Sequence, residues 1–187
     1  VTEAGYYLDA QNQLVTAKFP SASDTWVVNR GEVLAMYLAK NAGIDVVGAK
    51  LLHPAQEPIL LTARFDRAEN GGRRPFLSAH SLLHAQTTNH VDHMDLLRCM
   101  RKHCLNFEID GPQFWRRLVF KRLIQDTSDD LRKIGFVSAG NDRWRLAPAC
   151  GLRPHPSSVG GEGADVTYDP AQRVKLQTLV EQADAYW

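Results

Sequence analysis

At 187 residues the chain can bury one good core, divided at most into two lobes. Its 44% hydrophobic and 23% charged residues are ordinary for a soluble globular protein, and a net charge of +1 gives no electrostatic ground for nucleic acid or a membrane surface as partner. No apolar run reaches the ~18 residues of a transmembrane helix, and no secretory leader is read. Val1 is not an initiator Met, as expected of a fragment or a trimmed chain. Cys99, Cys104 and Cys150 are odd in number and lack a Cys-x-x-Cys pair, which fits a reduced cytosol and a cytoplasmic protein.

Residues 5–19 predict a β-hairpin, with Tyr6-Tyr7-Leu8 and Leu14-Val15-Thr16-Ala17 flanking a polar turn. Lys18 ends the second strand; by itself it reads as a surface lysine before a loop. A helix is predicted over 31–42, with Leu34, Leu38 and Ala42 on one stripe, Glu32 in the first turn and Gly43 as its stop. Residues 46–52 and 58–65 predict two strands joined by a turn. Arg64-Phe65-Asp66-Arg67 then reads as a strand end with a local Asp–Arg pair. Residues 70–75 form a turn or loop at a lobe boundary. Ser78 is expected to cap a helix running to about 85. A second helix over 92–104 carries Leu97, Met100 and Cys104 on one stripe, and 106–112 is expected to be a loop. His80, His84, His90, His93 and His103 lie near Cys99 and Cys104, but their spacings match no zinc template, so polar helix faces and core packing explain them better.

Residues 114–125 predict a helix with Phe114, Leu118 and either Val119 or Phe120 on one face, extended by Leu123 and Ile124. Arg116, Arg117, Lys121 and Arg122 are expected on a solvated opposite face. Asp126, Asp129 and Asp130 then crowd three carboxylates into five residues. Such a loop either gathers a hard cation or caps a short turn at Leu131. A strand, a turn and a second strand through Trp144-Arg145-Leu146 follow, with Trp144 and Leu146 expected to pack on the preceding helix beside Ile134 and Phe136. Residues 157–165 read as a Gly-rich linker, and 171–186 as a final amphipathic helix with Val174, Leu176, Leu179, Val180 and Ala183.

The run LIQDTSDDLRKIGF followed by WRLAPACGLRPHP resembles the C-terminal kinase domain of HipA-type toxins. That family carries Asn-Thr-Asp-Asp-His-Leu-Arg-Asn, then Gly-Phe, then Trp-Arg-Leu-Ala-Pro-Ala-Tyr-Asp-Leu-Asn-Pro. The resemblance extends over most of residues 14–156. It implies an α+β, two-lobed, protein-kinase-like fold, with a small β-rich lobe over 1–65 and a mostly helical lobe over 66–187 carrying the catalytic-loop-like segment 124–156. It also implies that Lys18 meets ATP phosphates and pairs with Glu32, and that Arg64 and Phe65 lie at a hinge where the backbone meets adenine. The family normally has more helical mass after residue 156 and an N-terminal subdomain, and the expectation is that this subdomain is missing from residues 1–187.

The departures fall on the chemistry. In register, Ser128 replaces the catalytic aspartate, Asp130 the histidine, Lys133 the metal-holding asparagine and Gly151 the metal-binding aspartate. Ala63 stands where an acid precedes the hinge arginine. Serine cannot accept a substrate proton as a carboxylate does, and lysine repels magnesium. The expectation is a HipA-like serine/threonine kinase fold of a toxin–antitoxin type system. It is expected to be catalytically degenerate and to act through a protein partner, an antitoxin-like or substrate protein, without direct contact to nucleic acid or membrane. ATP is the candidate cofactor, magnesium is disfavoured, and no resident metal is assigned. One alternative is an active kinase with a rearranged loop using Asp126 or Asp129, of which Asp129 is the candidate catalytic residue. Another is an unrelated helical binding or metal protein.

Overall fold

The computed structural model describes residues 4–20, 28–53, 58–68, 72–83, 92–126, 131–154 and 175–187. A hairpin of β1 (Ala4–Leu8) and β2 (Leu14–Lys18) opens it. The sheet order is β1-β2-β4-β3, all antiparallel, with β3 at Ala49–Leu52 and β4 at Ile59–Ala63. On β2 and β4, Thr16, Lys18 and Thr62 face the interlobe cleft, while Val15, Ala17 and Leu61 line the other side of the sheet. This is the period-two alternation of a strand.

Helix α1 spans Val28–Asn41, three residues earlier than its hydrophobic pattern suggests, so Glu32 sits in the second turn. Its buried face is also rotated. Asn29, Glu32, Ala35, Met36 and Ala39 are buried, whereas Leu34 and Leu38 are 58% and 45% exposed. Two forces override the leucine stripe: small Ala35 and Ala39 permit close packing, and Glu32 must reach Lys18. Gly43, at φ +74°, ends the helix as expected, in a conformation glycine adopts at little cost.

Strand β5 (Phe76–Ser78) pairs with β6 (Gly135–Gly140), which pairs with β7 (Arg143–Leu146). The β6–β7 turn is made by Asn141 and Asp142 at φ 50° and 55°, the left-handed pair that a tight two-residue hairpin demands. Strand β5 is not legible in the sequence, because three residues are too short to show alternation. Ser78 caps α2 (Ala79–Leu82), its hydroxyl accepting from Ser81 N–H at 3.1 Å. The expected continuation to 85 passes beyond the described residues. Helix α3 (His93–His103) opens with a reciprocal Asp92–Asp95 capping box and buries Leu96, Leu97 and Met100.

Helix α4 runs Phe107–Leu123 and contains Pro112, so the expected loop at 106–112 is in fact its first two turns. Proline costs one backbone hydrogen bond there. Burial of Asp110, Gly111, Pro112 and Phe114 offsets it. Gly111 is required by contact: a Cβ would stand 2.4 Å from the Tyr186 carbonyl oxygen. The predicted apolar face is correct at Phe114, Leu118 and Phe120 but not at Leu123, which is 65% exposed. Arg117 is buried rather than solvated. It donates to the Ala147 carbonyl at 2.6 Å and the Asp45 carbonyl at 3.4 Å. Burial lowers its pKa to about 10, still a cation at neutral pH.

Phe114, Leu118, Phe136 and Leu146 share the larger core with α3, and Ile134 and Trp144 pack on it partly buried, as expected. The chain ends in α5 (Leu176–Glu181) and a 3-10 turn at Ala183–Tyr186. Leu179 and Tyr186 are fully buried there, whereas Leu176 and Val180 are 41% and 61% exposed, against the predicted stripe. Trp115 Nε1 donating to the Leu179 carbonyl at 2.8 Å fixes that orientation. Among the described residues no helix is long and apolar enough to cross a membrane.

Candidate functional site: the interlobe cleft

A second, smaller core joins the lobes: Ala35, Met36, Ala39, Ile44 and Val47 pack against Phe120, Ala149 and Leu152. Backbone bonds reinforce it, with Val47 N–H donating to Ala149 O at 3.0 Å and Ala149 N–H to Asp45 O at 2.8 Å. Gln113 on α4 clips the same bend, accepting from Asp45 N–H at 2.9 Å and donating to Gly43 O at 2.9 Å. The C-terminal end of α1 is thus fastened to the helical lobe, and a cleft of about 360 Å³ remains between the sheet and the 147–153 segment. That volume lies within the range of small-molecule sites.

On the sheet wall Lys18 Nζ donates to Glu32 Oε1 at 2.6 Å, the pair that the resemblance implies. Glu32 is fully buried, and its Oε2 has no hydrogen-bond partner among the described residues. Lys18 is held from its other end as well. Buried Asn29 donates to the Lys18 carbonyl at 3.1 Å and to the Pro58 carbonyl at 2.8 Å, locking β2, α1 and the start of β4 together. The sequence reading missed Asn29, since a short polar residue at a helix start carries no distinguishing signal.

At the hinge Arg64 and Asp66 form a two-pronged ion pair, Arg64 Nε donating at 2.6 Å and Nη2 closer still. The Arg64 guanidinium holds the Asp66 carboxyl below its ordinary range. Phe65 lines the cleft and meets Phe76 with ring centroids 5.7 Å apart. Gly135 allows this arrangement, because a Cβ there would fall 2.2 Å from the Phe76 ring. Phe76 was not foreseen, since strand β5 was not.

The opposite wall carries Arg132, Lys133, Ala147, Pro148, Cys150, Gly151 and Arg153. Lys133 and Gly151, two of the positions where the sequence departs from the HipA pattern, therefore line the same cleft as Lys18 and Glu32. Gly151 has φ +65°, and a Cβ there would meet nothing within 4 Å. Cys150 is exposed on the cleft wall, where desolvation by the surrounding atoms pushes its thiol pKa up. Asp126 is 2% exposed and accepts from Arg153 N–H at 3.2 Å. Ser128, Asp129 and Asp130 lie outside the described residues, so the candidate catalytic Asp129 has no described position.

Magnesium sites in phosphoryl transfer use one or two carboxylates plus waters and substrate phosphates. In the described cleft the carboxylates are Glu32 and Asp66, and each already pairs with a cation. The described residues gather no group of three or more His, Cys, Asp or Glu able to hold a metal. His84 and His90 of the zinc reading lie outside them. Each carboxylate that the described residues bring to the cleft is thus already paired with a cation.

Solved structures that share this architecture include the following two. HipA of Shewanella oneidensis MR-1, from a toxin–antitoxin complex of HipA, HipB and operator DNA, matches with a TM-score of 0.62 at 17% identity, over 74% of this chain and 37% of its own. The Helicobacter pylori proinflammatory kinase CtkA matches with a TM-score of 0.63 at 17% identity, over 81% of this chain and 56% of its own. The chain thus spans little more than a third to little more than half the length of these proteins, and the likeness shows an α+β, two-lobed, kinase-like fold. No curated protein matches the sequence. Family membership removes the reading of an unrelated helical or metal protein: the HipA-like C-terminal domain matches residues 4–177, and this chain belongs to that family.

Proposed function

We propose that this chain is a catalytically degenerate HipA-like serine/threonine kinase fold that acts in the cytoplasm by binding a protein partner, in a toxin–antitoxin type system. Its lobes divide near residue 65, and the site comprises Lys18, Glu32, Arg64 and Phe65. The observation that carries the reading is that Lys133 and Gly151 line the cleft into which the Lys18–Glu32 pair faces. Phosphoryl transfer is catalysed mainly by positioning and by charge neutralisation through metal ions. A cation where the family has a metal-holding asparagine, and a glycine where it has an aspartate, work against both. The partner is of the kind the Shewanella complex contains, a HipB-like antitoxin, or a substrate protein. The free cysteines support a reducing compartment.

The active-kinase alternative needs Asp126 or Asp129 to serve in the cleft. Asp126 accepts from the Arg153 backbone N–H, and Asp129 is the candidate the test addresses. The test is incubation with γ-labelled ATP and magnesium, alone and with bacterial lysate. The expected result is no label above a heat-treated control. Labelling by the wild-type chain that disappears in Asp129→Ala would establish the active kinase instead.

A further inference from the structure

We propose that the arginine hairpin at the lobe boundary docks an acidic peptide segment of a protein partner. This rests on the partner-binding reading above and gives that partner a surface and a chemistry. Arg67 and Arg73 stand opposite each other across an antiparallel bridge. Ala68 N–H donates to Gly72 O at 2.9 Å and Arg74 N–H to Asp66 O at 2.9 Å, which closes the turn. Like charges directly opposite on paired segments repel, so the hairpin gathers positive charge at a cost that a bound anion relieves.

The local carboxylate is already taken. Both Asp66 oxygens accept from Arg64. Arg67 Nε stands 3.9 Å from Asp66 Oδ1, beyond hydrogen-bond reach. Arg73 and Arg74 are exposed, and no carboxylate among the described residues pairs with either. Glu69 lies outside the described residues, and one carboxylate matches at most one of these three arginines. Arg67, Arg73 and Arg74 line a shallow pocket of about 580 Å³ together with Leu14 and Pro75. A second pocket, of about 490 Å³, shares Leu14, Arg64 and Arg67 and carries the groove on to Asn12 and Gln13 in the β1–β2 turn. Asp66 is the one carboxylate among the described residues that line either. An extended peptide suits this groove, with carboxylates toward the arginines and apolar side chains over Leu14 and Pro75. Guanidinium groups favour carboxylates because their planar fork offers two parallel N–H donors. A net charge of +1 gives little long-range attraction for a nucleic acid, so the peptide is the better occupant.

The experiment uses the whole chain and fluorescence anisotropy at low salt. The probes are a labelled peptide alternating glutamate and leucine, its glutamine–leucine counterpart, and a single-stranded RNA of equal length. The expected result is that the glutamate peptide binds at least about tenfold tighter than either control, and that about 1 M salt removes most of the difference. Arg73→Gln with Arg74→Gln should weaken the glutamate peptide about tenfold and leave Tm unchanged, because both side chains are exposed. Arg30→Gln with Lys40→Gln removes the same charge from the exposed side of α1 and should leave binding unchanged. The wild-type arms carry the test even if a variant folds poorly. No binding of the glutamate peptide, equal binding of the glutamine peptide, RNA bound as tightly, or an equal loss in the α1 variant would each overturn the inference. Phosphate transfer from ATP with peptide binding intact removes the degenerate reading and leaves this surface standing; absence of both removes this surface alone.

Discussion

The two walls of the cleft differ in kind. On the sheet wall, Lys18 and Glu32 pair at 2.6 Å, Asn29 fastens the Lys18 carbonyl, and α1 is rotated so that Glu32 rather than Leu34 faces inward. This is the arrangement a kinase fold needs to hold a phosphate-binding lysine. On the opposite wall Leu146, Ala149 and Leu152 pack into the two cores, yet the positions that the resemblance assigns to metal are Lys133 and Gly151. A buried ion pair is part of the packing, and losing one partner strands a charge in the core. Metal ligands at a cleft mouth carry no packing load. The first kind of residue is therefore tied to folding, and the second can change while the fold persists.

The sharpest break in that comparison is Lys18→Met. It strands the fully buried Glu32 carboxylate and should cost about 3–5 kcal/mol in denaturant unfolding. Glu32→Gln should cost less, because the Lys18 side chain is 19% exposed and can turn to water. Equal losses would show that Glu32 is solvated. Trp144→Ala comes next. A fully buried ring would cost about 3–5 kcal/mol, and this half-buried one should cost about 2 kcal/mol, read from the same unfolding curves.

On the opposite wall Lys133→Asn should change stability by no more than about 0.5 kcal/mol, and Gly151→Asp should cost about 1 kcal/mol for its left-handed φ of +65°. A loss near that of Lys18→Met would show that these residues are structural after all. The smallest effect is at the hinge. The Asp66 pKa is lowered in the folded state, so its contribution is present above the unfolded carboxylate value of ~3.9 and is lost as pH falls through the lower folded value. Asp66→Asn should flatten the acid limb of Tm against pH, and an unchanged limb would show that the Arg64 pair contributes nothing.

The sequence disclosed what local chemistry decides. The β1–β2 hairpin, the Ser78 cap and the Gly43 stop follow from residue type and spacing, and the Lys18–Glu32 pair follows from the resemblance. It did not disclose what tertiary contact decides. Leu34 and Leu38 form a plausible apolar stripe, but the burial of Glu32 and the close fit of Ala35 and Ala39 turn it outward. Pro112 and Gly111 read as loop residues, yet packing under Tyr186 keeps them helical. Arg117 is one of four basic residues in its stretch of sequence, expected on a solvated face, and the carbonyls of Ala147 and Asp45 account for its burial. Of the site, the motif positions were legible, whereas Asn29 and Phe76 depend on which elements meet.

The most direct measurement is the rate of phosphate transfer from γ-labelled ATP with magnesium, for the wild-type chain beside Ser128→Asp, Lys133→Asn, Gly151→Asp combined. A misplacement near 1 Å can cost about a hundredfold in rate, so missing groups should cost at least that. The account predicts no measurable transfer by the wild type and label incorporated by the triple variant. Transfer by the wild type at a rate equal to or above that of the variant would contradict it.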